Sequence, residues 1–114
     1  MQRDDRIRLQ HMLDAANEAA SFASGKSRHD LADDRMLALS IVKSIEIIGE
    51  AASRVSQETR AQYPAVPWAT IVAMRNRLIH VYFDIDLDRV WDTINEDLPF
   101  LIAHLQEALR TYSK

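Results

Sequence analysis

Apolar residues recur along most of this chain at three- and four-residue steps, and few residues are present that could interrupt them. Leu37, Ile41, Ile45, Ile48, Ala52 and Val55 form one such series. Leu87, Val90, Trp91, Ile94, Leu98, Leu101, Ile102, Leu105 and Leu109 form another. That spacing places side chains on one face of an α-helix and fits no strand. Only two Gly and three Pro occur in 114 residues. The pattern predicts an all-α bundle of four main helices plus short turns, with no strand.

Helix 1 is expected over roughly Asp4 to Ala23, with Leu9, Leu13, Ala16, Ala20 and Ala23 facing inward. Ser24-Gly25-Lys26-Ser27 supplies its stop. Helix 2 is expected to run unbroken from about Leu31 to Gln57. Leu39, Val42 and Ile47 fall outside its inner stripe, and a helix apolar on more than one face is usually buried on more than one. The second face suits a partner subunit. Ser56 to Pro67 reads as a connection with one short turn, because Pro64 and Pro67 forbid a continuous helix. Helix 3 should start near Pro67 and reach His80 or Tyr82. Helix 4 should start near Leu87, capped by Asp86 or Asp88, and kink at Pro99.

The length indicates a single domain over residues 1–114. Cysteine is absent, which excludes disulfides, thiolate metal sites and a cysteine nucleophile. No apolar run approaches the roughly 20 residues needed to span a bilayer, and the N-terminus is no signal peptide, so a cytoplasmic location is expected. The net charge of −3 argues against broad, non-specific nucleic-acid binding. It hides a segregation, however. Residues Trp68 to Phe83 contain no acid, and Asp84, Asp86 and Asp88 follow at once.

Within that acid-free segment stands Met74-Arg75-Asn76-Arg77-Leu78-Ile79-His80-Val81-Tyr82. Arginine can grip a phosphate through its fork, and histidine moves protons near neutral pH. The pair suits cleavage of an RNA backbone, where a 2′-hydroxyl must lose a proton and a crowded phosphorane needs charge stabilisation. Five residues of ideal helix turn through about 140°, so Arg75 and His80 would not share a face. Either Arg75 reaches round, or the helix ends near His80, or a second copy completes the site. Asn76 could cap, orient or bind the scissile group, and Arg77 could bind RNA or form an ion pair.

Glu46 and Glu50 share a helix face, but a solvated stripe or ion pairs with arginines across a dimer fit them better than a metal. His11, His29 and His104 read as surface residues, and Met36 and Met74 as core. No Gly-rich phosphate loop is present, and neither a cofactor nor a metal is implied.

The motif segment resembles the HepT-like toxins of the HEPN superfamily, whose pattern is Arg, four residues, His, one residue, Tyr. Here these are Arg75, His80 and Tyr82, with the family's Asn as Asn76. The flanks match as well: Pro67-Trp68 before the motif, Tyr82-Phe83-Asp84 at its end, Ile45 to Ala52 as a second signature, and Asp97-Leu98-Pro99 late in the chain. The resemblance extends from about Asp5 to Leu109. It implies a toxin of a toxin–antitoxin system that cleaves RNA as a homodimer; the lack of a convincing ligand cluster adds the expectation that no metal is needed. Arg75 and His80 would be catalytic, with Asn76 and Arg77 in support. It also implies a nucleotidyltransferase (MNT-type) antitoxin that modifies Tyr82 with AMP. HEPN folds serve other uses too, so a non-catalytic nucleotide-binding or protein-interaction module is the alternative.

Overall fold

The computed structural model describes residues 2–81 and 84–112, and the side chains of these except at 75–81, 84 and 112. In chain order the elements are α1 (Arg3–Ala23), α2 (Arg28–Asp33), α3 (Arg35–Ser53), α4 (Gln57–Gln62), α5 (Trp68–Leu78), β1 (Ile79–Val81), β2 (Asp84–Ile85) and α6 (Leu87–Asp92), followed by a π-helical turn (Thr93–Asp97) and α7 (Leu98–Tyr112). The bundle is all-α in architecture, as expected. Its four main helices are α1, α3, α5 and the near-continuous run from α6 through the π turn into α7. The short β1–β2 pair is a local antiparallel ribbon, with Ile79 opposite Ile85 and Val81 opposite Asp84.

Helix α1 ends where expected. Gly25 has a φ of 74°, a left-handed backbone that glycine adopts without a Cβ penalty. Ser27 and Asp30 then form a reciprocal capping box that starts α2.

The expected long helix from Leu31 to Gln57 is broken at both ends. Asp34 closes α2 and opens α3, and its carboxylate accepts the N–H of Leu37 at 3.1 Å. A side chain that satisfies the first free donors of a helix starts one and cannot lie inside one. At the other end α3 stops at Ser53. Ser56 caps a separate short helix, α4, accepting the N–H of Thr59 at 3.2 Å.

Two apolar clusters hold the bundle together. The larger joins Leu9, Met12, Ala16, Ile48, Ala52, Trp68, Ile71, Leu98, Leu101 and Leu105. The second gathers Leu31, Leu37, Ile41, Val42, Ile45, Met74 and Val90 at the other end of α3. Met12, Ala15 and Ala19 are buried in α1, whereas Ala20 is only half-buried. The inner face of α1 is therefore wider than a single stripe. Val42, expected on a second face, is buried in the core.

The predicted stripe of the last helix is buried or half-buried throughout. The irregularity near Pro99 takes the form of a π turn. Leu98 donates to the carbonyl of Thr93, five residues back, one turn before the proline. Proline has no N–H and its ring crowds the carbonyl four residues earlier, here Asn95. Widening the preceding turn by one residue relieves that conflict.

Candidate functional site

Helix α5 begins at a proline-set corner. Pro64 disfavours a helical Tyr63, and Val66 turns back to bond the carbonyl of Tyr63 at 3.1 Å. The same carbonyl accepts the indole N–H of Trp68 at 3.1 Å. Arg60 lies over the Trp68 ring at 5.9 Å, a cation–π distance. Pro67 then supplies the first carbonyl of the helix, taken by Ile71 at 2.9 Å.

Ile71 and Met74, 2% and 5% exposed, anchor the helix in the two core clusters. Arg75, Asn76 and Arg77 follow Met74 in its last turn, and the helix stops at Leu78. His80 is the middle residue of β1. The helix expected to reach His80 or Tyr82 is therefore shorter, because the chain turns extended to pair with β2. Arg75 and His80 are freed from the helical phase that would set them about 140° apart. Their side chains, and those of Asn76 and Arg77, lie outside the described set. Tyr82 lies outside the described residues.

Asp86, just after β2, caps α6 by accepting the N–H of Arg89 at 3.1 Å. Asp88 pairs with Arg28 of α2 at 2.8 Å. Two of the acids that crowd the sequence after the motif are thus engaged in capping and bridging. Both tasks fasten the chain that leaves the ribbon.

The remaining titratable candidates lie elsewhere. Glu46 is 4.0 Å from Lys43 within α3, and Glu50 pairs at 3.0 Å with Arg54, the residue that follows α3 in the same chain. Among the described residues no group of three or more His, Asp or Glu side chains gathers as metal ligands would. His29 pairs with Asp33 at 2.9 Å, and the His104 ring lies 4.2 Å from that of Phe100. His11 is exposed and borders a cavity of about 300 Å³ with Arg8 and Arg54. Met74 is buried as expected. Met36, expected in the core, is 79% exposed, because the break at Asp34 sets Met36 near the start of α3 with its side chain outward. Sequence reasoning overlooked a groove between α5 and the π turn, for which Asn95 to Phe100 carried only the Asp97-Leu98-Pro99 signal.

No helix among the described residues is long and apolar enough to cross a membrane. Comparison with known proteins places the chain among ribonuclease-like sequences. The chain is 34% identical over 97 residues to "Putative RNase MJ1380" of Methanocaldococcus jannaschii, covering 85% of this chain and 89% of that protein. It is 35% identical over 102 residues to "Putative RNase TTE0752" of Caldanaerobacter subterraneus, covering 90% and 91%. It is 30% identical over 101 residues to "Probable ribonuclease HepT" of Thermococcus cleftensis, covering 89% and 92%. No solved structure matches significantly. The family described as "Ribonuclease HepT-like" matches residues 12–108, which include the whole motif segment, and the chain belongs to that family.

Proposed function

We propose that this protein is an endoribonuclease of the HEPN type, the toxin of a cytoplasmic toxin–antitoxin pair. The reading is carried by one observation: a match to a ribonuclease family across residues 12–108 coincides with Arg75 and His80 at the junction of α5 and β1. In the proposed reaction a 2′-hydroxyl attacks the adjacent phosphorus. One imidazole of His80 accepts the hydroxyl proton, and a protonated His80 supplies a proton to the departing 5′-oxygen. The P–O5′ bond breaks, leaving a 2′,3′-cyclic phosphate and a 5′-hydroxyl. Arg75 holds the phosphate and stabilises its growing charge. Asn76 and Arg77 support substrate binding, and no metal takes part.

One histidine cannot readily serve as base and acid at once, so the reading includes a homodimer whose twofold axis brings two Arg75/His80 sets into one cleft. The outer face of α3 supports this. Met36, Leu39 and Ile47 are 79%, 45% and 40% exposed. They fall within about 80° of one another on the helix, opposite the stripe of Ile41, Ile45, Ile48 and Ala52. The regulatory partner is a nucleotidyltransferase antitoxin, and Tyr82 is the residue it modifies with AMP.

The deciding experiment incubates the purified protein with end-labelled RNA in excess EDTA, beside the His80→Ala variant. Cleavage to 2′,3′-cyclic phosphate ends by the wild type alone is expected. Intact RNA, or equal cleavage by both proteins, would return the domain to a non-catalytic binding role.

A further inference from the structure

Beside the start of α5 lies a groove of about 330 Å³ that the proposed chemistry does not use. Its floor is apolar: Ile71, Met74 and Leu101 are each no more than 5% exposed. Phe100 forms one wall and is 52% exposed, an unusual state for a large aromatic ring. The volume is at the small end of binding pockets, which run from about 300 to 1,000 Å³, so it admits one or two large side chains.

The rim decides what kind of ligand would enter. Glu96 and Asp97 line the groove, and Asp92 stands beside them in an adjoining cavity of about 170 Å³. All three are exposed, and none has an ion-pair partner among the described residues. Among the described residues Arg89 is the single cation lining that cavity, against Asp92, Glu96 and Asp97, so their sum is acidic. Such an edge repels nucleic-acid phosphates and attracts cations. The π turn makes the arrangement, because its extra residue lies in the Thr93–Asp97 stretch that carries Glu96 and Asp97.

We propose that this groove docks a segment of a protein partner that presents one large apolar side chain flanked by Lys or Arg. The apolar group would fill the space over Ile71, Met74 and Leu101 and stack on Phe100. The flanking cations would meet Asp92, Glu96 and Asp97. Such a partner would press on α5 at Met74, directly before Arg75, and so could bias the geometry of the motif. The proposal does not depend on RNA cleavage, since binding is read separately.

The test titrates the ¹⁵N-labelled full chain with the peptide acetyl-Lys-Arg-Leu-Trp-Arg-Lys-amide, with acetyl-Glu-Asp-Leu-Trp-Asp-Glu-amide as its charge-reversed control. The basic peptide should shift the amides of Thr70, Ile71, Asp97 and Leu101, and the acidic one should not. Raising the salt from about 20 mM to about 500 mM should weaken binding of the basic peptide, as screening requires. Neutralising the rim with Asp92→Asn, Glu96→Gln and Asp97→Asn together should weaken it about tenfold at low salt. Phe100→Ala should weaken it about as much at either salt. All four substitutions are at exposed positions, so the fold is retained, and RNA cleavage without peptide should be unchanged. Equal binding of both peptides, shifts elsewhere, or unaltered affinity in the variants would overturn the proposal. Concentration-dependent broadening of the same amides without peptide would overturn it in favour of a second copy of this chain.

Discussion

Asp5, in the first turn of α1, accepts the backbone N–H of Ser56 at 3.1 Å across 51 residues of sequence. It also accepts the Ser56 hydroxyl, and the hydroxyl of Thr59 at 2.7 Å. Ser56 in turn caps α4. One buried carboxylate, 3% exposed, thus ties the start of α1 to the corner that leads into α5. Burial works to raise its pKa. The hydrogen bonds from Ser56 and Thr59, with help from Arg8, outweigh burial and hold it below the ordinary aspartate range.

Replacing Asp5 with Ala should therefore destabilise the fold by about 2–3 kcal/mol, the usual scale for lost hydrogen bonds to a charged group. Because the folded-state pKa is depressed, the stability contributed is complete above about pH 4 and lost as the pH falls through the folded value. Urea midpoints from about pH 6 down to about pH 2.5 would check this. The wild type should lose more stability over that interval than Asp5→Asn. Parallel curves would remove Asp5 from the account.

His80→Ala should lower RNA cleavage by about 10²–10⁴-fold with the helical circular dichroism unchanged. Arg75→Ala should be as severe. Arg75→Lys should recover only part, because an ammonium keeps the charge but loses the two-pronged grip. Single-turnover rates on one RNA distinguish these outcomes, and full activity in Arg75→Lys would reduce Arg75 to a simple positive charge.

Ile47→Glu and Leu39→Glu should each turn the protein monomeric. Both side chains are already partly in water, so a carboxylate costs the isolated chain little, whereas in a paired apolar face it would be buried without a partner. Sedimentation at tens of micromolar resolves the two states. A wild type that is monomeric there would contradict the dimer.

Co-expression with a nucleotidyltransferase antitoxin and ATP should add one or more AMP masses to the peptide containing Tyr82 and silence RNA cleavage. A nucleotide two residues from His80 adds bulk and negative charge where RNA phosphates must bind. Tyr82→Phe should fold normally, gain no mass and remain toxic in the presence of the antitoxin, and intact-mass spectrometry reads the difference. An unmodified wild type that the antitoxin still neutralises would point to inhibition by complex formation alone.

The helical class was written in the chain because periodicity is a local property. Leu37, Ile41, Ile45 and Ile48 can share a face only if the backbone is helical, and Val90 to Leu109 obey the same rule. The motif was legible for the same reason: Arg75, Asn76, His80 and Tyr82 are adjacent in sequence, so their types and spacing need no fold to be seen.

Tertiary structure decided what depends on competition between local preferences and distant partners. Asp34 could have sat on the surface of one long helix, but its carboxylate caps α3 instead, and the break turns Met36 out to solvent. Residues 79–81 follow a helix without any strong stop signal, and pairing with 84–85 is what draws them out of helical phase. Asp5 reads as an ordinary first-turn acid until Ser56 and Thr59 arrive from more than fifty residues away. The acids of the π turn become the rim of a groove only when α5 packs beside them, since no pattern within a single segment encodes the space between two helices.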